Sequence, residues 1–186
     1  GINQLIAVTK LNAASPGELA SIGEEGEIIA LLSSDEAFEG YWQRPEANAK
    51  ALREGWYFTG DTGYFDQDGD LFVTGRVDDM IITGGGDVSP FEIGSCLSLH
   101  DAVSEVAVVG LPDERWGKII AAFVKRKTAV TPEALDDYCR TAGLANFKRP
   151  RRYVFVDEIP KSPVGKLLRR KLVAGEYTPE SKTVAP

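Results

Sequence analysis

Gly75-Arg76-Val77-Asp78-Asp79-Met80-Ile81-Ile82-Thr83-Gly84-Gly85-Gly86 is the stretch at which the texture of the chain changes. Upstream of it lie short apolar runs separated by turn residues. Glu27 to Leu32 reads as a strand, and a helical stretch follows Arg44-Pro45-Glu46 to about Arg53. Trp56-Tyr57-Phe58 reads as a short strand. Tyr64-Phe65 and Leu71-Phe72-Val73 flank Asp68-Gly69, a hairpin signal. Residues 1–22 offer only the turn Ser15-Pro16-Gly17. Downstream, strands and helices interleave. Met80-Ile81-Ile82 runs into the three glycines, and Ser89-Pro90-Phe91-Glu92 then opens a helix. Ser89 is placed to cap it, Pro90 to take the first helical position and Glu92 to close a capping box. Strands are expected at 103–109, 119–124 and 153–156. Helices are expected from Thr131 to about Ala142 and from Lys166 to about Ala174. The fold class is therefore α+β, with a β-rich segment over 1–77 and a second domain over 78–186.

The composition narrows the function. Hydrophobic residues make up 43% of the 186, enough for a core, and no apolar run approaches a membrane span. His100 is the only histidine, which argues against Ser-His and Cys-His hydrolysis within the chain. Cys96 and Cys139 form neither a disulfide framework nor a zinc pattern, so a reducing, cytoplasmic setting is expected. The first residue is Gly1 rather than Met, which points to an excised or processed piece. The net charge of −7 argues against nucleic-acid binding. Yet residues 145–171 hold nine basic and two acidic side chains, a local balance of +7 that leaves −14 for the rest. Such a cluster suits a discrete anion. Arg169 to Lys171 read more simply as a solvated helix face.

Four short motifs are candidates for chemistry. In Thr59-Gly60-Asp61 a carboxylate follows a glycine at an expected strand end, where it could accept hydrogen bonds from a ribose diol; alone, it is a turn aspartate. Asp66-x-Asp68-x-Asp70 fails as a calcium loop, because Leu71 and Val77 stand where Gly and Glu are required. Gly84-Gly85-Gly86 is neither a Walker loop nor GxGxxG, though glycines there let a ligand approach the backbone. Lys166 ends Pro160-Lys161-Ser162-Pro163-Val164-Gly165-Lys166. It could bring a point charge to a phosphoryl group, or be an ordinary surface lysine.

Order and spacing say more than any one motif. The string Gly40-Tyr41-Trp42, Arg44-Pro45-Glu46, Gly55 to Asp61, Gly75 to Ile82, Gly84-Gly85, Pro90-x-Glu92-Ile93 and Gly165-Lys166 resembles the adenylate-forming superfamily. That superfamily comprises acyl-CoA synthetases, peptide-synthetase adenylation domains and luciferases. The resemblance covers roughly residues 24–175. Arg115-Trp116-Gly117 and Phe147-Lys148-Arg149-Pro150 make it most similar to aryl-acid–CoA ligases of the chlorobenzoate type.

The resemblance implies a small mobile C-terminal domain preceded by part of the β-barrel subdomain of a larger AMP-binding domain. It implies two steps: an acid reacts with MgATP to give an acyl-adenylate, and coenzyme A then displaces AMP. Asp61 and Arg76 would bind the nucleotide, Asp78 would be the hinge, and Lys166 would serve adenylation. Gly84 and Gly85 would line the pantetheine tunnel. Trp116, Phe147, Arg149 and Arg151 would hold the CoA nucleotide. The phosphate loop, the magnesium ligands and the acyl pocket are expected upstream of Gly1, so ATP, Mg2+ and CoA are cofactors of which only some have sites here. Expected partners are a small carboxylic acid and the missing N-terminal domain, and a homodimer is compatible. The chain departs from the family at Gly86, Asp87 and Gly94, which bears on the tunnel lining rather than the fold. Two other readings are an adenylation domain loading a carrier-protein thiol and an isolated non-catalytic binding domain.

Overall fold

The computed structural model describes residues 6–33, 37–83 and 86–181. It divides into two compact units, 1–78 and 79–186. The second begins one residue after the boundary expected from the sequence.

The first unit is built on β-strands. β1 (Ile6–Lys10) pairs antiparallel with β2 (Gly26–Leu31), and β2 with the long β4 (Trp56–Phe65). Helix α1 (Pro45–Ala51) starts on a proline and gives way to β3 (Leu52–Arg53), two residues short of its expected end. β3 pairs with the start of β4, and β5 (Leu71–Arg76) with its end, through the Asp68-Gly69 turn. The turn is held by the Asp66 carboxylate, which accepts the backbone N–H groups of Asp68 and Asp70 at 3.0 and 2.9 Å. Ile28, Ile29 and Phe58 are buried.

The second unit opens with the hairpin β6 (Ile81–Thr83) and β7 (Gly86–Val88), followed by α2 (Pro90–Ser98). Ser89 is the cap residue, but its side chain makes no capping bond, and Glu92 pairs with Lys148 at 2.7 Å instead of closing a box. β8 (Val103–Asp113) and β9 (Gly117–Arg126) form a long antiparallel pair. α3 (Pro132–Thr141) is capped by the Thr131 hydroxyl, which accepts the Ala134 N–H. β10 (Arg152–Phe155) then joins β9 in parallel.

Both faces of this sheet are covered, which explains the unbroken run Ile119-Ile120-Ala121-Ala122-Phe123-Val124. Alternate residues Ile120, Ala122 and Val124 pack with α2 and α3, where Ile93, Leu97 and Leu135 are fully buried. Ala121 and Phe123 face the other way, onto Ile159 and Leu172 of α4 (Arg169–Val173). α4 starts three residues later than expected, because Pro160 to Leu168 form a closed loop. Arg170 and Lys171 are exposed as expected, but Arg169 is half-buried and pairs with Asp79 at 2.8 Å. The segment after Tyr177 is tied down as well. Glu180 forms a largely buried ion pair with Arg126, and Pro179 bridges to Val156.

Candidate functional site

In the first unit, Asp61 and Arg76 are cross-strand partners of β4 and β5. Asp61 lies inside the ten-residue β4 rather than at a strand end, beside a register shift at Thr62/Gly63. The Arg76 guanidinium donates to the Asp61 carboxylate at 2.6 Å, and that bond holds its proton more tightly than usual. Both side chains stay open to solvent, so the carboxylate has lone pairs left for a diol. Gly60 has φ +72°, and a Cβ there would meet Arg76 Nη2 at 3.0 Å. Arg76 also borders a cavity of about 420 Å3 with Glu27, Lys50, Arg53, Gly60 and Asp78. Burial pushes the Glu27 carboxyl up, while the Gly60 N–H at 3.0 Å opposes the shift. Asp78, in a single 3₁₀ turn over Val77–Asp79, pairs with Lys50 at 3.5 Å.

In the second unit, four expected residues come together because the sheet brings its strand starts to one end. β9 and β10 run parallel, so the β8–β9 turn lies beside the segment entering β10. That turn is Asp113-Glu114-Arg115-Trp116-Gly117. The Asp113 carboxylate accepts the N–H groups of Arg115 and Trp116, both at 2.9 Å, and Gly117 adopts φ +70°. Phe147 sits in a 3₁₀ turn before β10, and the Arg151 N–H is anchored on the Ile120 carbonyl at 2.9 Å. Trp116, Phe147, Arg149 and Arg151 line one cleft of about 120 Å3, together with Lys118. The guanidinium carbons of Arg151 and Arg115 lie 4.7 and 4.9 Å from the Trp116 ring. Lys148 projects over Phe147 at 5.8 Å.

Such a cleft offers aromatic faces to a flat base and guanidinium groups to phosphate. At 120 Å3 it admits one ring system, not a whole ligand of ordinary size, which takes roughly 300 Å3 or more. Arg149 is less free than its spacing suggested: it donates to Asp136 at 2.7 Å and to Asn146 at 2.6 Å. These two partners escaped the sequence reading, and Arg115 entered it only within Arg115-Trp116-Gly117, not as a site residue; Asp136 reads simply as one of several acids on a helix.

Lys166 lies on the loop before α4, exposed, and lines neither cavity. Gly84 and Gly85 lie outside the described residues. Among the described residues, no group of three or more His, Cys, Asp or Glu side chains could hold a metal ion. None of their helices is long and apolar enough to cross a membrane.

Residues 92–166 match the family model for the AMP-binding enzyme C-terminal domain. The chain belongs to the adenylate-forming superfamily, as a C-terminal part. It is 46% identical over 158 residues to a 4-chlorobenzoate–CoA ligase of Arthrobacter, covering 85% of this chain and 30% of that protein. It is 45% identical over 166 residues to a 2-succinylbenzoate–CoA ligase of Geobacillus, covering 88% and 33%. Among solved structures it superposes on O-succinylbenzoate coenzyme A synthetase of Bacillus subtilis, in complex with AMP, with a TM-score of 0.76 and 31% identity. That match covers 98% of this chain and 34% of the other. The chain thus spans about a third of the length of these relatives, and the adenylate-forming fold it shares with them is α+β.

Proposed function

We propose that the chain is the C-terminal part of an ATP-dependent acid–CoA ligase that joins a carboxylic acid to coenzyme A through an acyl-adenylate. The observation that carries this reading is the convergence of Trp116, Phe147, Arg149 and Arg151 on one small cleft, matched in size to a nucleotide base.

In the first step a carboxylate oxygen attacks the α-phosphorus of ATP, and the bond to pyrophosphate breaks. The Asp61 carboxylate accepts hydrogen bonds from the ribose hydroxyls, with Arg76 fixing its orientation. The Lys166 ammonium stabilises the charge that builds between carboxylate and α-phosphate. In the second step the CoA sulfur attacks the acyl carbon and AMP leaves. The CoA base stacks at Trp116 and Phe147, and Arg151 takes a phosphate. Asp78 is the hinge between the two steps, and Gly84 and Gly85 line the path of the pantetheine arm. Magnesium, when bound, would neutralise phosphate charge, and its ligands belong to the rest of the full-length enzyme.

The test uses the full-length ligase. Trp116→Ala and Arg151→Ala are each expected to raise KM for CoA about tenfold or more, as one lost stacking or charged contact is worth ~1–3 kcal/mol. Pyrophosphate release with acid and ATP alone stays unchanged. Turnover with pantetheine, which lacks the nucleotide, also stays unchanged. Equal losses with CoA and with pantetheine would sink the assignment.

A further inference from the structure

The segment from Pro160 to Leu168 is a closed hairpin loop, and its bonds converge on a residue that no expectation singled out. The Gly165 N–H donates to the Ser162 carbonyl at 2.9 Å, closing a four-residue turn with Pro163 at its second position, where proline's fixed φ fits. Gly165 takes φ +79°, which sends the chain back along the loop. The Ser162 N–H then donates to the Lys166 carbonyl at 2.8 Å, and the Lys166 N–H donates to the Ser162 hydroxyl at 3.1 Å. One step further out, the Leu168 N–H donates to the Pro160 carbonyl at 2.9 Å, and Lys161 bridges to Leu167. The base of the loop is pinned to β8 by a Lys161–Glu105 ion pair at 2.7 Å.

Ser162 thus holds Lys166 on both sides of its peptide unit. The Ser162 carbonyl is already taken by Gly165, so the hydroxyl supplies an acceptor for the Lys166 N–H. An exposed lysine on an unbraced tip would sample many backbone positions, and a point charge stabilises a transition state only when it is already in place. We infer that Ser162 is a positioning residue for Lys166, its hydroxyl fixing the lysine's backbone for the adenylation step. This rests on the role proposed above for Lys166. Ser162 touches neither substrate; it acts through the lysine.

In the full-length ligase, Ser162→Ala is expected to slow adenylation about five- to tenfold, the scale of one lost hydrogen bond, with KM for acid and ATP altered less than twofold. Thioester formation from preformed acyl-adenylate stays unchanged, and Ser162→Thr, which keeps the hydroxyl, restores adenylation to within twofold. Lys166→Ala slows adenylation about 100-fold or more. Adding Ser162→Ala to Lys166→Ala costs nothing further, because the serine acts only through the lysine. A harmless Ser162→Ala beside a severe Lys166→Ala overturns the positioning role and leaves the lysine's role standing. A harmless Lys166→Ala removes both. Equal slowing of both half-reactions by Ser162→Ala would make the residue merely structural. In the 186-residue chain, amide exchange at Lys166 reads the contact directly. Protection lost in Ser162→Ala and kept in Ser162→Thr supports the inference; an unprotected amide in the unmodified chain overturns it.

Discussion

Gly60 is the residue whose conformation fixes the geometry around Asp61. At φ +72° an L side chain carries a left-handed strain of about 1–2 kcal/mol. The added Cβ would also press on Arg76 Nη2 at 3.0 Å, the far end of a flexible side chain that can yield. The strain term therefore dominates. Gly60→Ala should destabilise the first unit by about 1–2 kcal/mol and loosen Arg76 from Asp61. Trp42 and Trp56 lie in that unit and Trp116 in the other, so a Trp116→Phe background leaves fluorescence reporting on the first unit alone. Urea unfolding in that background measures the loss, and an unchanged midpoint would contradict it. The sequence pattern placed Asp61 at a strand end, and there the structure differs. Asp61 sits inside a ten-residue strand because β5 pairs along the far half of β4, a long-range fact that no local pattern states.

The elements that were easiest to read are those whose burial repeats in the chain. β8 and β9 announce themselves as apolar runs, and α3 as a capped helix with Leu135 and Cys139 inside. The last helix was expected to start at Lys166. Pro163 and Gly165 instead make a turn, and α4 starts only at Arg169. The Asp136–Arg149 and Asn146–Arg149 bonds were invisible, since they depend on where α3 lies against the entry to β10. Cys139 gives the α3 interface a pH signature. Burial first, and the neighbouring Cys96 next, push its thiol from 9.0 up to about 11, with Tyr153 OH 3.9 Å from its sulfur. Tyr153 is itself raised by burial. In the unfolded chain the thiol ionises near 9, so the native state holds more protons above that pH. Stability is fully present below pH 9 and is lost as pH rises towards 11. Under reductant, Cys139→Ala should start less stable, by the cost of a small cavity, and its deficit should shrink between pH 9 and 11. Thermal melts across that range check it; a constant deficit would assign the alkaline loss to other groups.

At the scale of the whole molecule, the two units meet at consecutive residues anchored in opposite directions. Asp78 pairs with Lys50 of α1 within the first unit, and Asp79 pairs with Arg169 of α4 within the second. The two pairs differ in strength. Lys50 and Asp78 are about 80% exposed, so that contact is worth less than ~1 kcal/mol and weakens with salt. Arg169 and Asp79 are about 30% exposed and far better shielded. Asp79 is therefore held more firmly than Asp78, and under the function proposed above a rotation between half-reactions would fall on the dihedrals of Asp78. Proline at 78 fixes φ near −65° and pushes Val77 out of the helical region. Asp78→Pro in the full-length ligase should leave adenylation partly intact and cut thioester formation by about tenfold or more, with little change in the thermal melt of the second unit. Lys50→Ala, which removes only the weak tether, should leave both half-reactions within twofold. If Asp78→Pro forms thioester at the unmodified rate, the rotation does not pass through this residue. If it harms both steps alike and lowers the melt, the 3₁₀ turn at Val77–Asp79 is a fixed connection rather than a joint.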